Sequence, residues 1–398
     1  MHRSFTLRVH RRRRRPYRSS FFALPSTVSA PFRSLGILVL AACLTALLVW
    51  ARTDSTGERV GTRASVAGRS PGGRQVPAAG PNLKASGALP VPLVLGYYDG
   101  GGVGSLGYES LVREHRVLSG IVPDWYEIWA DGAVTGTADP GVVSYARAHG
   151  LWIFPLVQQN GDPAVFHALL SHPARERSAI RNLLRLAEEP GYDGVNLDFE
   201  GIAPQDRQAF TAFVEALAYS LHAHGYYLTL SIPAETANDP SNSWSGAYSY
   251  RALGKAADLV MIMAYDDHYA QGSPGKVAPA SWVDAVTRYA VTEIAPQKVV
   301  LGIPAYGYDW GPTGEPAEAL SFWQAARLDN LYYRGQAGAH FNYTAGGVVH
   351  EVYFSDTTTF THELAVAAAL NVRGIALWRL GLEDPTMWRL LSPITGGP

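Results

Sequence analysis

The residues best suited to chemistry lie in the nine-residue stretch DGVNLDFEG, Asp193 to Gly201. Val195, Leu197 and Phe199 alternate with Asn196, Asp198 and Glu200. This is the pattern of a strand with one packed face and one polar face. Side chains two apart on a strand are roughly 6.5 to 7 Å apart, so two carboxyls so placed disturb each other's ionisation. The chemistry this suits is general acid–base work: Glu200, at the C-terminal end with a raised pKa, carries a proton while Asp198 stays charged, and the pair titrates as a unit. Asp193 falls on the opposite parity and reads as support for the strand entry.

The competing structural explanation is that buried Arg or Lys bridges these acids. Basic residues are scarce in the apolar runs of the chain, with only Lys298 and Arg379 at their ends. Other polar and aromatic residues also fall at or just after run ends: Tyr97, Tyr126, Gln158, Asn160, Tyr265, Asp266, Tyr306, Tyr308, Trp310 and Trp378. A lone aromatic is ordinarily core, but a site at strand ends is where barrel enzymes do their work, and this favours Tyr265 and Trp378. His268, after AYDD, reads as a solvated loop histidine. DGGGVGSLG at 99–107 follows a strand pattern without a fitting ribose acid, so it is no dinucleotide site. The single cysteine, Cys43, forms no intramolecular disulfide, and no Cys/His spacing suits zinc; no metal or cofactor is expected.

The elements that must position these residues are short apolar runs separated by helical patterns. PLVLGYY, LSGIVPDWYEI, LWIFPLVQQ, GVNLDF, YLTLSIPA, DLVMIMAYD, KVVLGIPAYGY and GIALWRL make eight. Between them, segments such as DRQAFTAFVEALAYSLHAHG and SWVDAVTRYAVTEI have 3.6-residue apolar spacing, and Gly150 and Gly225 stand where a helix cap is needed. Eight such units predict an α/β fold, a (β/α)8 barrel, with a doubly wound open sheet as the other arrangement that fits. From Trp310 to about Glu351 the spacing breaks, which predicts a helix and a hairpin inserted between the seventh and eighth runs.

The ends of the chain differ in character. Residues 1–34 hold nine arginines and no acid, and read as a basic cytoplasmic tail. LGILVLAACLTALLVWA at 35–51 is free of charge and predicts a transmembrane signal anchor, with the remainder outside a bacterial cell membrane by the positive-inside rule. LAAC at 40–43 resembles a lipoprotein processing site, so cleavage or lipidation is the alternative. Residues 52–90 are rich in Gly, Ser, Ala and Pro and read as a flexible linker. Residues 91–398 carry 18 basic and 32 acidic residues, about −14 net. So acidic a domain repels polyanions, which argues against nucleic acid and for a neutral polymer as ligand. Nothing in the pattern indicates an oligomeric state.

DGVNLDFEG resembles the fourth-strand motif D-G-x-D-x-D-x-E of glycoside hydrolase family 18, the chitinase-like hydrolases. SIPA at 231–234, MAYD at 263–266 and Trp378 in GIALWRLG follow in that family's order across 91–398. PDWYEIWADG, FPLVQQN, GAYSYRALGKAAD, HEVYFSD and ALWRLGLEDP are most similar to its bacterial spore-cortex and cell-wall N-acetylglucosaminidase branch and to hydrolase domains fused to polysaccharide deacetylases. The resemblance implies a retaining hydrolase of N-acetylglucosamine glycans, peptidoglycan or chitin-like, in which the 2-acetamido group of the substrate is the nucleophile. It implies Glu200 as acid and base, Asp198 on the acetamide N–H, and Tyr265 on the acetamide oxygen. Asp266 lies nearby, Trp378 floors the pocket, and Asn196, Met263, Tyr97 and Tyr306 complete the binding set. Asn196 departs from the motif, where Asp is usual; unable to take a charge, it predicts a lower pKa for Asp198. A lectin-like, non-catalytic barrel is the alternative the family offers, and the presence of both Asp198 and Glu200 favours the enzyme.

Overall fold

The computed structural model describes residues 92–395, apart from 160–162, 334 and 336–338. The tail, the segment 35–51, the linker and Asn160 lie outside the described residues. Among the described residues no helix is long and apolar enough to cross a membrane.

The first runs become β1 (Leu93–Tyr98), β2 (Gly120–Ile128) with a short hairpin partner β3 (Val134–Gly136), β4 (Trp152–Ile153) and β5 (Leu156–Gln159). Next come β6 (Gly194–Asp198), β7 (Tyr227–Pro233), β8 (Leu259–Met263) and β9 (Val299–Pro304). After the inserted strands β10 (Tyr306–Trp310), β11 (Glu318–Ser321), β12 (His340–Ala345) and β13 (Val348–Phe354), the barrel is completed by β14 (Gly374–Trp378). The barrel strands pair in parallel in the order β1, β14, β9, β8, β7, β6, β5, β2, and β2 pairs with β1 in turn. That last pairing closes the sheet and excludes the open alternative.

Helices α1 (Leu106–Glu114), α2 (Pro140–Ala148), α3 (Pro163–Leu170), α4 (Pro173–Ala187), α5 (Arg207–Ala223), α6 (Tyr250–Ala256) and α7 (Ala280–Glu293) alternate with the strands. α8 (Phe322–Tyr333) belongs to the insertion, and α9 (Thr357–Ala369) and α10 (Trp388–Thr395) flank β14. Gly150 and Gly225 close α2 and α5 with φ of 71° and 78°, a conformation in which a Cβ would be strained.

Two apolar layers hold the barrel. Leu95, Val122, Phe154, Leu156, Met261 and Val300 fill its interior, while Val195, Leu197 and Phe199 pack outward with Phe166, Phe210 and Phe213 of the helices. The alternation read from the sequence thus sorts β6 into its two faces.

Three boundaries differ from expectation. LWIFPLVQQ is two short strands, because Pro155 has no N–H for the ladder; its carbonyl instead accepts Asn196 N at 2.9 Å. The acidic strand ends at Asp198, so Phe199 and Glu200 lie just beyond it. The insertion begins at Tyr306 rather than Trp310: Ala305 N makes the last rung to β14, on Trp378 O at 2.7 Å, and β10 then starts an antiparallel sheet in the order β11, β10, β13, β12.

Candidate active site

The site is built at the C-terminal ends of the parallel strands. Asp193 anchors the start of β6: its Oδ2 accepts Ile153 N and Arg147 Nη1, both at 2.8 Å. It is a structural residue, as its parity implied. Asn196 is fully buried. Its Nδ2 donates to Thr229 Oγ1 at 3.0 Å and its Oδ1 accepts Ser231 Oγ at 3.0 Å. Both ends of the amide are thus engaged on β7, with no exposed surface.

Asp198 is 8% exposed, and its Oδ1 has no hydrogen-bond partner among the described residues. Its pKa lies well above the ordinary carboxylate range, because burial disfavours the charge and the Glu200 and Asp124 carboxyls add repulsion. The direction runs against the expectation that Asp198 stays charged beside Glu200, because loss of solvent disfavours its charge. Glu200 meets its expectation, pushed up to about 7 by burial and by the charge of Asp266. It is only half-buried, and its backbone is held on both sides. Tyr248 Oη donates to the Phe199 carbonyl and Gln159 Nε2 donates to the Glu200 carbonyl.

Tyr265 and Asp266 follow β8. Burial and the neighbouring Tyr97, Asp198, Glu200 and Asp266 keep the Tyr265 phenol neutral, and therefore a hydrogen-bond donor. A Cβ at residue 302 on β9 would stand 2.5 Å from the Ile262 carbonyl oxygen and 3.1 Å from Tyr265 Cε1, so Gly302 lets β8 and this ring approach closely. Asp266 adopts φ 63° and its Oδ1 accepts Tyr306 Oη at 2.5 Å and Tyr308 Oη at 3.1 Å. A non-glycine residue held at positive φ marks strain that the surroundings impose. Met263 closes β8, half-buried, beside Pro233 of β7.

Trp378 is half-buried at the end of β14 and meets Tyr97 edge to face, centroids 5.0 Å apart. Several of the other expected cleft residues turn inward. Tyr97 is 1% exposed and its hydroxyl pairs with Ser231 Oγ at 2.6 Å, so it supports Trp378 and β7 rather than lining a cleft. Tyr306, Tyr308 and Trp310 are buried in a small cluster with Val277. Tyr126 Oη pairs with Tyr192 Oη at 2.9 Å. His268 is tied to its own loop through Ser273 O at 2.9 Å.

The sequence reading overlooked Asp124, Tyr248 and Gln159. Asp124 sits in β2, its carboxyl raised to about 6 by burial and by Asp99 and Glu127, against Arg379 and a hydrogen bond from Gln158. An acid inside the run IVPDWYEI was the available signal; Tyr248 and Gln159 carry none, because they act through backbone carbonyls distant in sequence. Among the described residues no group of three or more His, Cys, Asp or Glu side chains is arranged to hold a metal ion.

Comparison with known proteins gives one family model, "Glycosyl hydrolases family 18", matching residues 154–383. The chain is 31% identical over 304 residues to the cortical fragment-lytic enzyme of Bacillus anthracis, covering 71% of this chain and 70% of that one. The spore cortex-lytic enzyme SleL of Bacillus megaterium superposes with a TM-score of 0.69 at 27% identity, over 76% of this chain and 73% of that chain. A chitinase of Chromobacterium violaceum does so with a TM-score of 0.68 at 31% identity, over 77% and 100%.

Proposed function

The chain belongs to the glycosyl hydrolases of family 18 and is a glycoside hydrolase, and on that premise we propose that it cleaves β-linked N-acetylglucosamine glycans with retention, using the substrate's own acetamide as nucleophile. The observation that carries this reading is the pairing of a buried Asp198 with a Glu200 whose pKa is about 7, beside the neutral phenol of Tyr265. A protonated Glu200 donates to the glycosidic oxygen as the acetamide carbonyl oxygen bonds to the anomeric carbon, and the leaving sugar departs. The oxazolinium so formed is opened by water that gives its proton to the Glu200 carboxylate. A nucleophile already attached to the reacting carbon has lost its translational entropy, so the protein need only align it and move one proton.

Asp198 fits this scheme through its empty Oδ1. An acetamide N–H that reaches it donates to the charged form, and such a bond pulls the pKa of a carboxyl back down. Tyr265 donates to the acetamide oxygen, and Trp378 offers a face for the sugar ring. The lytic relatives named for the spore cortex support a cell-wall glycan as substrate, and the chitinase supports an N-acetylated one. The charge-free segment at 35–51, behind its arginines, supports tethering of the barrel outside a bacterial membrane.

The test is product release from N-acetylated glycans by the purified full-length protein. Glu200→Gln is expected to lower turnover by roughly 10²- to 10⁴-fold, the contribution of a general acid–base, while binding is retained. Wild-type protein that binds such glycans and releases no reducing ends would instead support the lectin-like barrel.

A further inference from the structure

Asn196 is an amide where a carboxyl would be able to exchange charge with Asp198, and its own hydrogen bonds go to Thr229 and Ser231. A second carboxyl approaches from the other side. We propose, resting on the catalytic reading above, that Asp124 is a positioning residue for the reaction, supplying from β2 the charge beside Asp198 that Asn196 does not supply from β6.

The strand geometry places it there. Asp124 is the register partner of Leu156, whose side chain belongs to the barrel interior, so Asp124 also faces inward. Two residues on in β5, Gln158 is the register partner of Asp198. Its Nε2 donates to Asp124 Oδ1 at 3.1 Å, which ties the Asp124 carboxyl to the strand position next to Asp198. Asp198 meanwhile keeps one buried oxygen without a partner among the described residues.

The charged and titratable neighbours lie on several strands and loops, and Tyr248, whose phenol burial also keeps neutral, is one of those beside Asp198. Asp124 faces Asp99 from the loop after β1, Glu127 from its own strand and Arg379 after β14. Arg379 Nη1 is paired with Asp99 Oδ2 at 3.0 Å, so its charge is shared rather than devoted to Asp124. Asp198 faces Glu200 and Asp124, and its neighbours Tyr97 and Tyr265 have phenols held neutral. An ionised Asp124 therefore repels a charge on Asp198, and Asp198 holds its proton until an acetamide N–H arrives. Asp266 acts on Glu200 instead, so the two flanking acids address different members of the pair.

The experiment compares Asp124→Asn, which accepts the Gln158 hydrogen bond but removes the charge, with Asp124→Glu, which keeps it. Asp124→Asn is expected to move the acid limb of kcat to lower pH by roughly one unit, with KM altered no more than about twofold. Asp124→Glu is expected to stay near wild type. Gln158→Leu, which cuts the tie to β5, is expected to shift the limb in the same direction by less, and it stands in if Asp124→Asn does not fold. The same variants are titrated without substrate by the carboxyl ¹³C resonance of Asp198, whose midpoint should fall with Asp124→Asn. An unmoved Asp198 midpoint, or equal shifts from Asn and Glu, overturns the inference. If wild-type protein releases no reducing ends, the catalytic reading fails on its own, and the ¹³C titration still decides the role of Asp124.

Discussion

Tyr306 donates its hydroxyl to the Asp266 carboxyl at 2.5 Å, joining the first strand of the inserted sheet to the loop after β8. The carboxyl so held matters to the acid, because the charge of Asp266 is one cause of the raised Glu200 pKa. Glu200 must be protonated to donate, so activity should fall as pH rises through about 7. Asp266→Asn removes the repelling charge, lowers the Glu200 pKa and should move the basic limb of kcat to lower pH by up to about one unit. Tyr306→Phe takes one hydrogen bond from the Asp266 carboxylate and leaves its charge, so the basic limb should stay near wild type. A pH–rate profile in which Asp266→Asn leaves the basic limb in place would separate Asp266 from Glu200.

Asp193 should matter for stability and not for chemistry. Asp193→Ala strips the acceptor from the buried Ile153 N–H and from Arg147, and should destabilise the fold by about 2 kcal/mol. Because Arg147 is 41% exposed on its side chain, Arg147→Ala should cost less, about 1 kcal/mol or under. Denaturant unfolding of the two variants checks the order; a larger loss from Arg147→Ala would contradict it.

Glu363 on α9 is 2% exposed, and among the described residues neither of its carboxyl oxygens has a hydrogen-bond partner. Burial, with Asp356 adding repulsion, raises its pKa well above the ordinary value. A carboxyl raised in the folded state binds its proton more tightly there, so its contribution is fully present below the unfolded pKa and is lost as pH rises through the folded one. Glu363→Gln, neutral at every pH, should match wild type near about pH 4 and exceed it in Tm by about 2 °C or more near about pH 9. Thermal melts that differ by a constant amount across that range would refute this.

DGVNLDFEG was legible because a strand has a period of two: Val195, Leu197 and Phe199 had to pack on helices, which left Asn196, Asp198 and Glu200 to the barrel side. The eight units and the cap glycines were legible for similar local reasons. The depth of Asn196 is not legible in the sequence, because parity names a face and not a depth; only the positions of Thr229 and Ser231 on β7 show where its amide is bonded. The same holds for Tyr97, whose hydroxyl is paired with Ser231 from 134 residues away.

By itself, then, the sequence determined the strand periodicity, the order of the motifs and the two carboxyls, all of which follow from short-range backbone geometry. Closure of the barrel, the burial that raises Asp198, and the approach of Asp124 and Asp266 to the pair were decided by tertiary structure alone. The reason is physical: desolvation and the field of a neighbouring charge depend on distance through space, and strands adjacent in a closed sheet bring together residues that the chain keeps far apart.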